Sequence, residues 1–313
     1  MKAIIIKETG GVENLHIVEI DKPKVNENEV LIETKAIGVN PVDYKVRANE
    51  DLLTAIYGEK RPAILGWDIA GVVVETGKNV SKFSKGDRVF GMVNFVGAGN
   101  TYAEFVAAPE NHLAKIPDTI SFQDAAASTL AALTALQVLQ GNIGKNDKVL
   151  IHAGSGGVGH FAIQIAKNLG AYVISTSSAK NKHFIKTLGA DEHIDYHKTA
   201  FQNVLNDLDF VFDMFNGEIL LNSIKVTKPG GKIISIPTPE FSEEAQNMAN
   251  QKEIDLAFHM VQSSGEGMDT IAKLLENGEI NPHVSKLFSF EEMAEAHKYL
   301  ESGRTVGKVV LQI

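Results

Sequence analysis

Gly154, Gly156 and Gly159 fall on G-x-G-x-x-G, directly after the apolar run Val149-Leu150-Ile151-His152-Ala153 and just ahead of Phe161-Ala162-Ile163-Gln164-Ile165-Ala166. That order reads as strand, tight turn, helix. The first glycine permits the turn, the second lets backbone approach a pyrophosphate, and the third lets helix pack on strand. Free N–H groups and the positive dipole end at the helix start favour phosphate there. A merely structural βα turn would use the same residues, so the following strand has to separate the two readings.

That strand is Ala171-Tyr172-Val173-Ile174-Ser175-Thr176, after Gly170. An acidic residue at its end, about 20 residues beyond the motif, would hold a ribose 2′-hydroxyl. Here the strand runs out into Ser177-Ser178-Ala179-Lys180-Asn181-Lys182. Hydroxyls and ammonium groups suit a 2′-phosphate, so NADPH is expected over NADH. Ser178 also suits the cap of the next helix, and the two roles are compatible.

These residues need a scaffold, and size and composition bound it. A chain of 313 residues points to two domains, and 44% hydrophobic residues support full cores. A net charge of −9, with no basic cluster, argues against a nucleic-acid or anionic-membrane partner. The N-terminus has no apolar signal core, and the apolar stretch from Ala125 to Leu136 is too short to span a bilayer, so a cytoplasmic protein is expected. The absence of cysteine removes disulfides, thiolate nucleophiles and cysteine-held zinc or iron–sulfur sites.

Read in order, the first 115 residues or so are strand-rich with little helix. Ala3–Ile6 and Leu15–Ile20 look like a hairpin, and Glu29–Ile37 is a strand broken by Asn40-Pro41, with a short helix possible afterwards. Ser121 caps a helical stretch reaching about Leu139. From Lys148 strands alternate with helices: strands at 148–153, 171–176, 192–195, 209–213, 231–236 and near 254–258, and helices at about 157–168, 180–188, 198–206 and 217–226. Alternation of this kind means a parallel sheet covered on both faces. Met268–Asn277 is helical, Ser289 and Glu292 form a capping box, and Gly307–Ile313 is a last strand. Residues 1–120 and 265–313 are therefore expected to build one domain, with 121–264 inserted as a dinucleotide-binding domain.

The chain resembles the medium-chain dehydrogenase/reductase superfamily, in its zinc-free quinone oxidoreductase (zeta-crystallin-like) branch. Ile37–Lys45, Gly66–Val73, Lys85–Gly91, Leu133–Leu136, Ala153–Gly159, Leu188–Tyr196 and Gly307–Leu311 carry the resemblance, in order and over nearly the whole length. It implies an α/β protein: a GroES-like β-barrel domain plus a doubly wound Rossmann domain, with the active site in the inter-domain cleft. Zinc-using relatives carry a cysteine and a His-Glu pair after a glycine. Here Trp67-Asp68 follows Gly66 and no cysteine exists, so no metal is expected. Loss of that Lewis acid favours acceptors that are already electrophilic.

The expected function is NADPH-dependent hydride transfer to a quinone or similar conjugated carbonyl. Reduction of alkenals, enones or enoyl thioesters on the same fold is the first alternative, and a low-turnover NADPH-binding sensor or structural protein is the second. The resemblance places Asn40 beside nicotinamide and substrate, although an Asn-Pro turn could equally use its amide locally. Tyr44 and Lys45 are further donors in that loop. Trp67 and Phe95 either wall the substrate pocket or pack in the core, and the glycine-rich 94–100 segment is a candidate flap. Asp43 and Asp68 are read as tying turns. The resemblance puts Ser155, Gly156, Gly157 and Val158 on the pyrophosphate, between Gly154 and Gly159. It puts Ser178, Lys180 and Tyr196 around the 2′-phosphate, and Thr129 and Ile236 near the nicotinamide. The stretch Ile254–Val261 is expected to pair edge to edge in a homodimer.

Overall fold

The computed structural model describes all residues, 1–313. Two compact units emerge: Met1–Leu133 with Val261–Ile313, and Thr134–Met260.

In chain order the first unit begins with β1 (Lys2–Ile6), β2 (His16–Glu19) and β3 (Glu29–Val39), then α1 (Pro41–Ala48) and α2 (Glu50–Tyr57). It continues through β4 (Ala63–Ile64), β5 (Asp68–Thr76), β6 (Arg88–Met92), β7 (Phe105–Pro109) and β8 (Leu113–Lys115) to α3 (Phe122–Ala127), and α4 (Leu130–Leu139) begins in the first unit and runs into the second. The second unit holds β9 (Lys148–Ile151), α5 (Gly159–Asn168), β10 (Tyr172–Ser177), α6 (Lys182–Thr187) and β11 (Glu192–Asp195). It also holds β12 (Leu208–Asp213), α7 (Gly217–Val226), β13 (Thr227–Ser235), α8 (Glu243–Gln251) and β14 (Asp255–Phe258). The chain returns to the first unit with α9 (Gly265–Glu276), β15 (Val284–Ser289), α10 (Met293–Glu301) and β16 (Lys308–Gln312).

β1 and β2 form the expected antiparallel hairpin, extended by β4. The larger sheet of the first unit runs β15-β16-β3-β5-β6-β8, with β7 also on β3. The last strand thus returns to the first unit, pairing antiparallel with β3 from Val309–Val39 to Gln312–Ala36. Its core gathers Val30, Ile32, Ile69, Val73, Val89 and Val106. The second unit has the order β11-β10-β9-β12-β13-β14, parallel throughout. Its central strands β9 and β12 are buried on both faces, while the edge strands β11 and β14 are partly exposed. Reversal of strand order at β9 places the glycine turn at a switch point, where such sheets bind ligands.

Several elements depart from expectation. The short helix foreseen after Asn40-Pro41 is α1, which Pro41 opens at a position where its missing N–H costs nothing; α2, which Asn49 caps by accepting from Leu52 N at 2.9 Å, was not foreseen. The helix expected over 198–206 is only a 3-10 turn at Phe201–Asn203. Lys198 and Thr199 are tied back to the Asp195 carbonyl, and Asp207 sits at φ 53, so too little chain remains for a helix. α8 was not foreseen, although Ser242 caps it through Ala245 N. The units divide after Leu133 rather than at 120/121, because α3 packs on β3, β5 and β16.

Candidate functional site

The chemistry-bearing residues fall into two groups, one in each unit. In the second unit, β9 ends into a turn in which Ala153, not a glycine, takes a positive φ of 48°. Gly154 is needed for close approach instead: a Cβ there would lie 1.9 Å from Ser175 Oγ. At Gly159 a Cβ would lie 2.3 Å from the Ala153 carbonyl and 2.7 Å from Gly154 Cα, so α5 could not start so near the strand. Gly156 differs from both. A Cβ there would meet only the Ala153 carbonyl, at 3.2 Å, and otherwise point into open space. That is the backbone surface a pyrophosphate would approach, beside helix amides that have no intrahelical partner.

Around this turn stand the residues expected at the far end of a dinucleotide. β10 ends at Ser177, paired with Asp195 of β11, and Tyr196 N bonds back to Ser177 O at 3.3 Å. Ser178, Lys180 and Tyr196 thereby come to the same ends of neighbouring strands. Tyr196 is 58% exposed and Lys180 is exposed, as a group meeting a bound phosphate must be. Ser178 precedes a 3-10 turn but makes no side-chain cap bond. Asn181, which sequence reasoning missed, donates from Nδ2 to Ser155 Oγ at 2.9 Å and ties the glycine turn to this segment. The carboxylate nearest in register is Asp195, whose Oδ1 accepts from His197 N at 3.2 Å. The residues fit a dinucleotide carrying a 2′-phosphate. Ile236, just beyond β13, is half-buried, with its N–H on Asp213 O at 3.2 Å.

In the first unit a buried polar network surrounds Asn40, at the junction of β3 and α1. Asp43, one turn on, accepts the Asn40 N–H on Oδ2 at 2.7 Å. The Asn40 side chain donates from Nδ2 to Asp68 Oδ2 at 2.7 Å and accepts on Oδ1 from Lys308 Nζ of β16. Lys308 also donates to Val39 O at 3.2 Å and to Asp68 Oδ2 at 3.4 Å, and Asp68 Oδ1 accepts Leu130 N at 3.0 Å. Lys308 is 3% exposed and Asp68 fully buried. A second limb runs through Asp43 Oδ2, which accepts from the Tyr102 hydroxyl at 2.8 Å; Tyr102 meets His297 Nε2 at 2.9 Å. Arg47 Nη1 lies 3.2 Å from His297 Nδ1, and because arginine only donates, Nδ1 is the acceptor and Nε2–H donates to Tyr102. Burial pushes the Asp43 carboxyl up to about 7, helped by nearby Asp68 and opposed by the Asn40 N–H. Burial, aided by Arg47, pushes His297 down to about 3.

Asp43 ties its turn through the Asn40 N–H, as expected, whereas Asp68 ties no turn and instead holds the Asn40 amide, Leu130 N and Lys308; both belong to a network whose other members sequence reasoning missed: Lys308, His297 and Arg47. Tyr102 is fully buried. The 94–100 segment is itself pinned. Trp67, fully buried, donates from Nε1 to Gly97 O at 2.6 Å and stands edge-on to Phe95 at 5.3 Å. Phe95 N donates to Ser263 Oγ and Asn94 N to His112 Nδ1. Tyr44 is half-buried with no hydrogen-bond partner for its hydroxyl, and burial with Glu301 nearby raises its pKa. Thr129 is fully buried, its hydroxyl donating to Ala126 O at 2.9 Å. No three His, Cys, Asp or Glu side chains gather to hold a metal ion, so the residues present do not fit a catalytic zinc.

A parallel sheet with an open glycine turn at its switch point is the arrangement of a dinucleotide-binding domain, carried in the same chain as a second, mainly antiparallel unit that the last strand joins. Residues 26–118 match the alcohol dehydrogenase GroES-like domain family, and residues 188–311 the zinc-binding dehydrogenase family. The chain is 32% identical to 2-methylene-furan-3-one reductase of Solanum lycopersicum, over 99% of this chain and 79% of that one. It superposes on the quinone oxidoreductase from Coxiella burnetii with a TM-score of 0.92 and 35% identity, covering 100% of this chain and 99% of that one. For the Escherichia coli quinone oxidoreductase complexed with NADPH the values are 0.88 and 27%, covering 100% of both. The chain belongs to the medium-chain dehydrogenase/reductase superfamily, among its quinone oxidoreductase-like enzymes.

Proposed function

We propose that the chain is an NADPH-dependent, zinc-independent reductase that passes hydride to a quinone or a similar conjugated carbonyl. The carrying observation is the open backbone at Gly156, flanked by Ser178, Lys180 and Tyr196 where an NAD site would end in a carboxylate. Bound NADPH supplies the hydride. The turn Ser155-Gly156-Gly157-Val158 takes the pyrophosphate, with the amides of Ser155, Gly157 and Val158 as donors because the Gly156 N–H already donates to Ala153 O at 2.8 Å; the hydroxyls and ammonium at the ends of β10 and β11 take the 2′-phosphate. The NADPH bound by the Escherichia coli relative supports this cofactor.

Hydride arriving at a quinone or enone leaves negative charge on the carbonyl oxygen, and a placed donor lowers that barrier. Asn40 and Tyr44 are the donors assigned here. The Tyr44 hydroxyl has no partner, and its raised pKa keeps it a neutral donor at ordinary pH. Phe95, half-buried, supplies apolar surface against which a flat acceptor is held and water excluded, while Trp67 is fully buried, does not reach the acceptor, and backs Phe95 edge-on. The tomato relative, a reductase of a 2-methylene-furan-3-one, favours a second reading in which the acceptor is a C=C bond conjugated to a carbonyl.

The rest of the reading concerns partners. A net charge of −9 supports a small electrophile rather than nucleic acid or an anionic membrane. No helix is long and apolar enough to cross a membrane. β14 is the last strand of its sheet, with Leu256, Ala257 and Phe258 partly exposed, which supports pairing of two copies there in a homodimer.

The test follows NADPH and NADH oxidation with 9,10-phenanthrenequinone and with a small 2-alkenal, in EDTA. Quinone-dependent loss of NADPH, faster than of NADH, is expected. Alkenal turnover alone would replace the first reading with the second. Tight NADPH binding without turnover of either would make the chain a sensor. Loss of activity in EDTA, restored by zinc, would overturn the zinc-independent assignment.

A further inference from the structure

An asparagine amide can enter a site either way round. One orientation offers a carbonyl to its neighbour and the other an N–H, and the two differ little in shape. At Asn40 both ends of the amide are already committed, to partners that cannot exchange roles. Lys308 is an ammonium with three donors and no acceptor, so only Oδ1 can face it. Asp68 accepts on Oδ2, so only Nδ2 can face it, at 2.7 Å. Rotation of the amide by half a turn would set N–H against ammonium and carbonyl against carboxylate.

The two partners are themselves fixed. The three Lys308 donors go to Asn40 Oδ1, Val39 O and Asp68 Oδ2. Asp68 Oδ1 is held by Leu130 N at 3.0 Å. Gly38 makes room for this: a Cβ there would lie 2.7 Å from Asp68 Oδ2 and 2.5 Å from the Ala126 carbonyl. From the other side, Asp43 holds the Asn40 backbone N–H. One Nδ2 hydrogen is spent on Asp68, and the other has no partner.

We propose that Lys308 and Asp68 are positioning residues that lock the Asn40 amide so that it can only donate, through its remaining Nδ2 hydrogen, to the carbonyl oxygen of the acceptor. The donor role rests on the function proposed above; the lock itself does not. Lys308 lies on the final strand, so the return of the chain to the first unit completes the site as well as the sheet.

The test is a double-mutant cycle with a spectroscopic arm. Asn40→Ala is expected to lower kcat on 9,10-phenanthrenequinone by about 100-fold, in line with loss of one oxyanion donor. Lys308→Met is expected to lower kcat by about tenfold through misplacement, with the NADPH dissociation constant unchanged within about twofold. In the Asn40→Ala background, Lys308→Met should change kcat by less than about twofold, because its partner is gone. Losses that multiply would show that Lys308 acts independently of Asn40 and overturn the proposal. Should Lys308→Met fail to fold with Asp68 left unpaired, the charge-balanced Asp68→Asn/Lys308→Met protein takes its place, with the same expected loss.

The spectroscopic arm uses protein carrying [15N]asparagine, with the Asn40 amide assigned by its loss in Asn40→Asp. One Nδ2 proton should exchange slowly with water in the wild type, and both should exchange fast in Lys308→Met. Slow exchange with no turnover of any quinone or alkenal would sink the functional reading, and the donor role with it, while supporting the lock. Two equally exchanging protons in active wild-type protein would overturn the lock alone.

Discussion

Substituting alanine at each of two glycines of the same turn should separate binding from folding. At Gly156 a methyl group would meet the Ala153 carbonyl at 3.2 Å and nothing else within 4 Å, and φ there is not positive. A shift of a few tenths of an ångström relieves that contact, so Gly156→Ala should fold, with a melting temperature within about 2 °C of wild type. The methyl would stand where the pyrophosphate must approach. Loss of one charge-assisted amide bond, about 1.5–3 kcal/mol, corresponds to a rise of roughly 10- to 100-fold in the NADPH dissociation constant. At Gly159 the methyl would lie 2.3 Å from Ala153 O, 2.7 Å from Gly154 Cα and 2.9 Å from Ala153 C, all backbone. The helix would have to retreat by about an ångström, at about 1–3 kcal/mol. Gly159→Ala should therefore lower the melting temperature by about 2–5 °C. Fluorescence titration with NADPH and thermal unfolding read the two effects. If Gly156→Ala bound NADPH within twofold of wild type, or lost as much stability as Gly159→Ala, the turn would not be the pyrophosphate cradle.

Three further expectations can be checked directly. Lys180→Ala should raise the KM for NADPH by about tenfold, as for a lost charge-assisted contact, and leave that for NADH unchanged; equal effects on both would remove Lys180 from the 2′-phosphate. His152, buried between Thr176 Oγ1 and Ser223 Oγ, has its pKa pushed down by burial to about 3 from an ordinary 6.5. The unfolded chain therefore takes up a proton near pH 6.5 that the folded chain refuses until about pH 3. Stability is full above 6.5 and lost as the pH falls. Relative to His152→Gln, wild type should lose about 1.4 kcal/mol per pH unit between pH 6 and 4 in urea unfolding, and parallel curves would contradict this. Trp67→Phe removes the donor to Gly97 O and should cost about 1–3 kcal/mol, with faster amide exchange over 94–100; unchanged exchange would mean that other contacts pin the segment.

The parallel sheet was legible in the sequence because its information is local. Each strand of the second unit is a short apolar run next to a turn residue, and the alternation with helix reports the topology. Ser121, Ser289 and Glu292 likewise announce helix starts within four residues of themselves. Failures came where local signals competed. Phe201 and Leu205 have helical spacing, but the preceding residues are already bonded to the Asp195 carbonyl, and hydrophobic spacing cannot register a spent backbone. The glycine fingerprint was legible with one of its reasons misplaced: the left-handed residue is Ala153, and Gly154 is small to admit Ser175.

The Asn40 network was legible only at one end. Asn40, Asp43 and Asp68 lie near glycines and a proline that mark turns, so their loops invited attention. Lys308 sits in a run of β-formers and reads as an exposed strand residue, since an isolated lysine is almost never fully buried unless paired. Its partners are Asn40 and Asp68, 268 and 240 residues away. Only the pairing of β16 with β3, Val309 against Val39, brings the preceding residue of β16, Lys308, beside the end of β3. The same holds for His297, whose tautomer is set by Arg47, 250 residues distant. Residues that touch cofactor phosphates answer to one ligand group each and keep short, fixed spacings. Residues that orient an amide answer to one another across the sheet, so their spacing records the topology of the chain rather than its chemistry. A single buried lysine near the C-terminus becomes informative only once the register of the last strand is known.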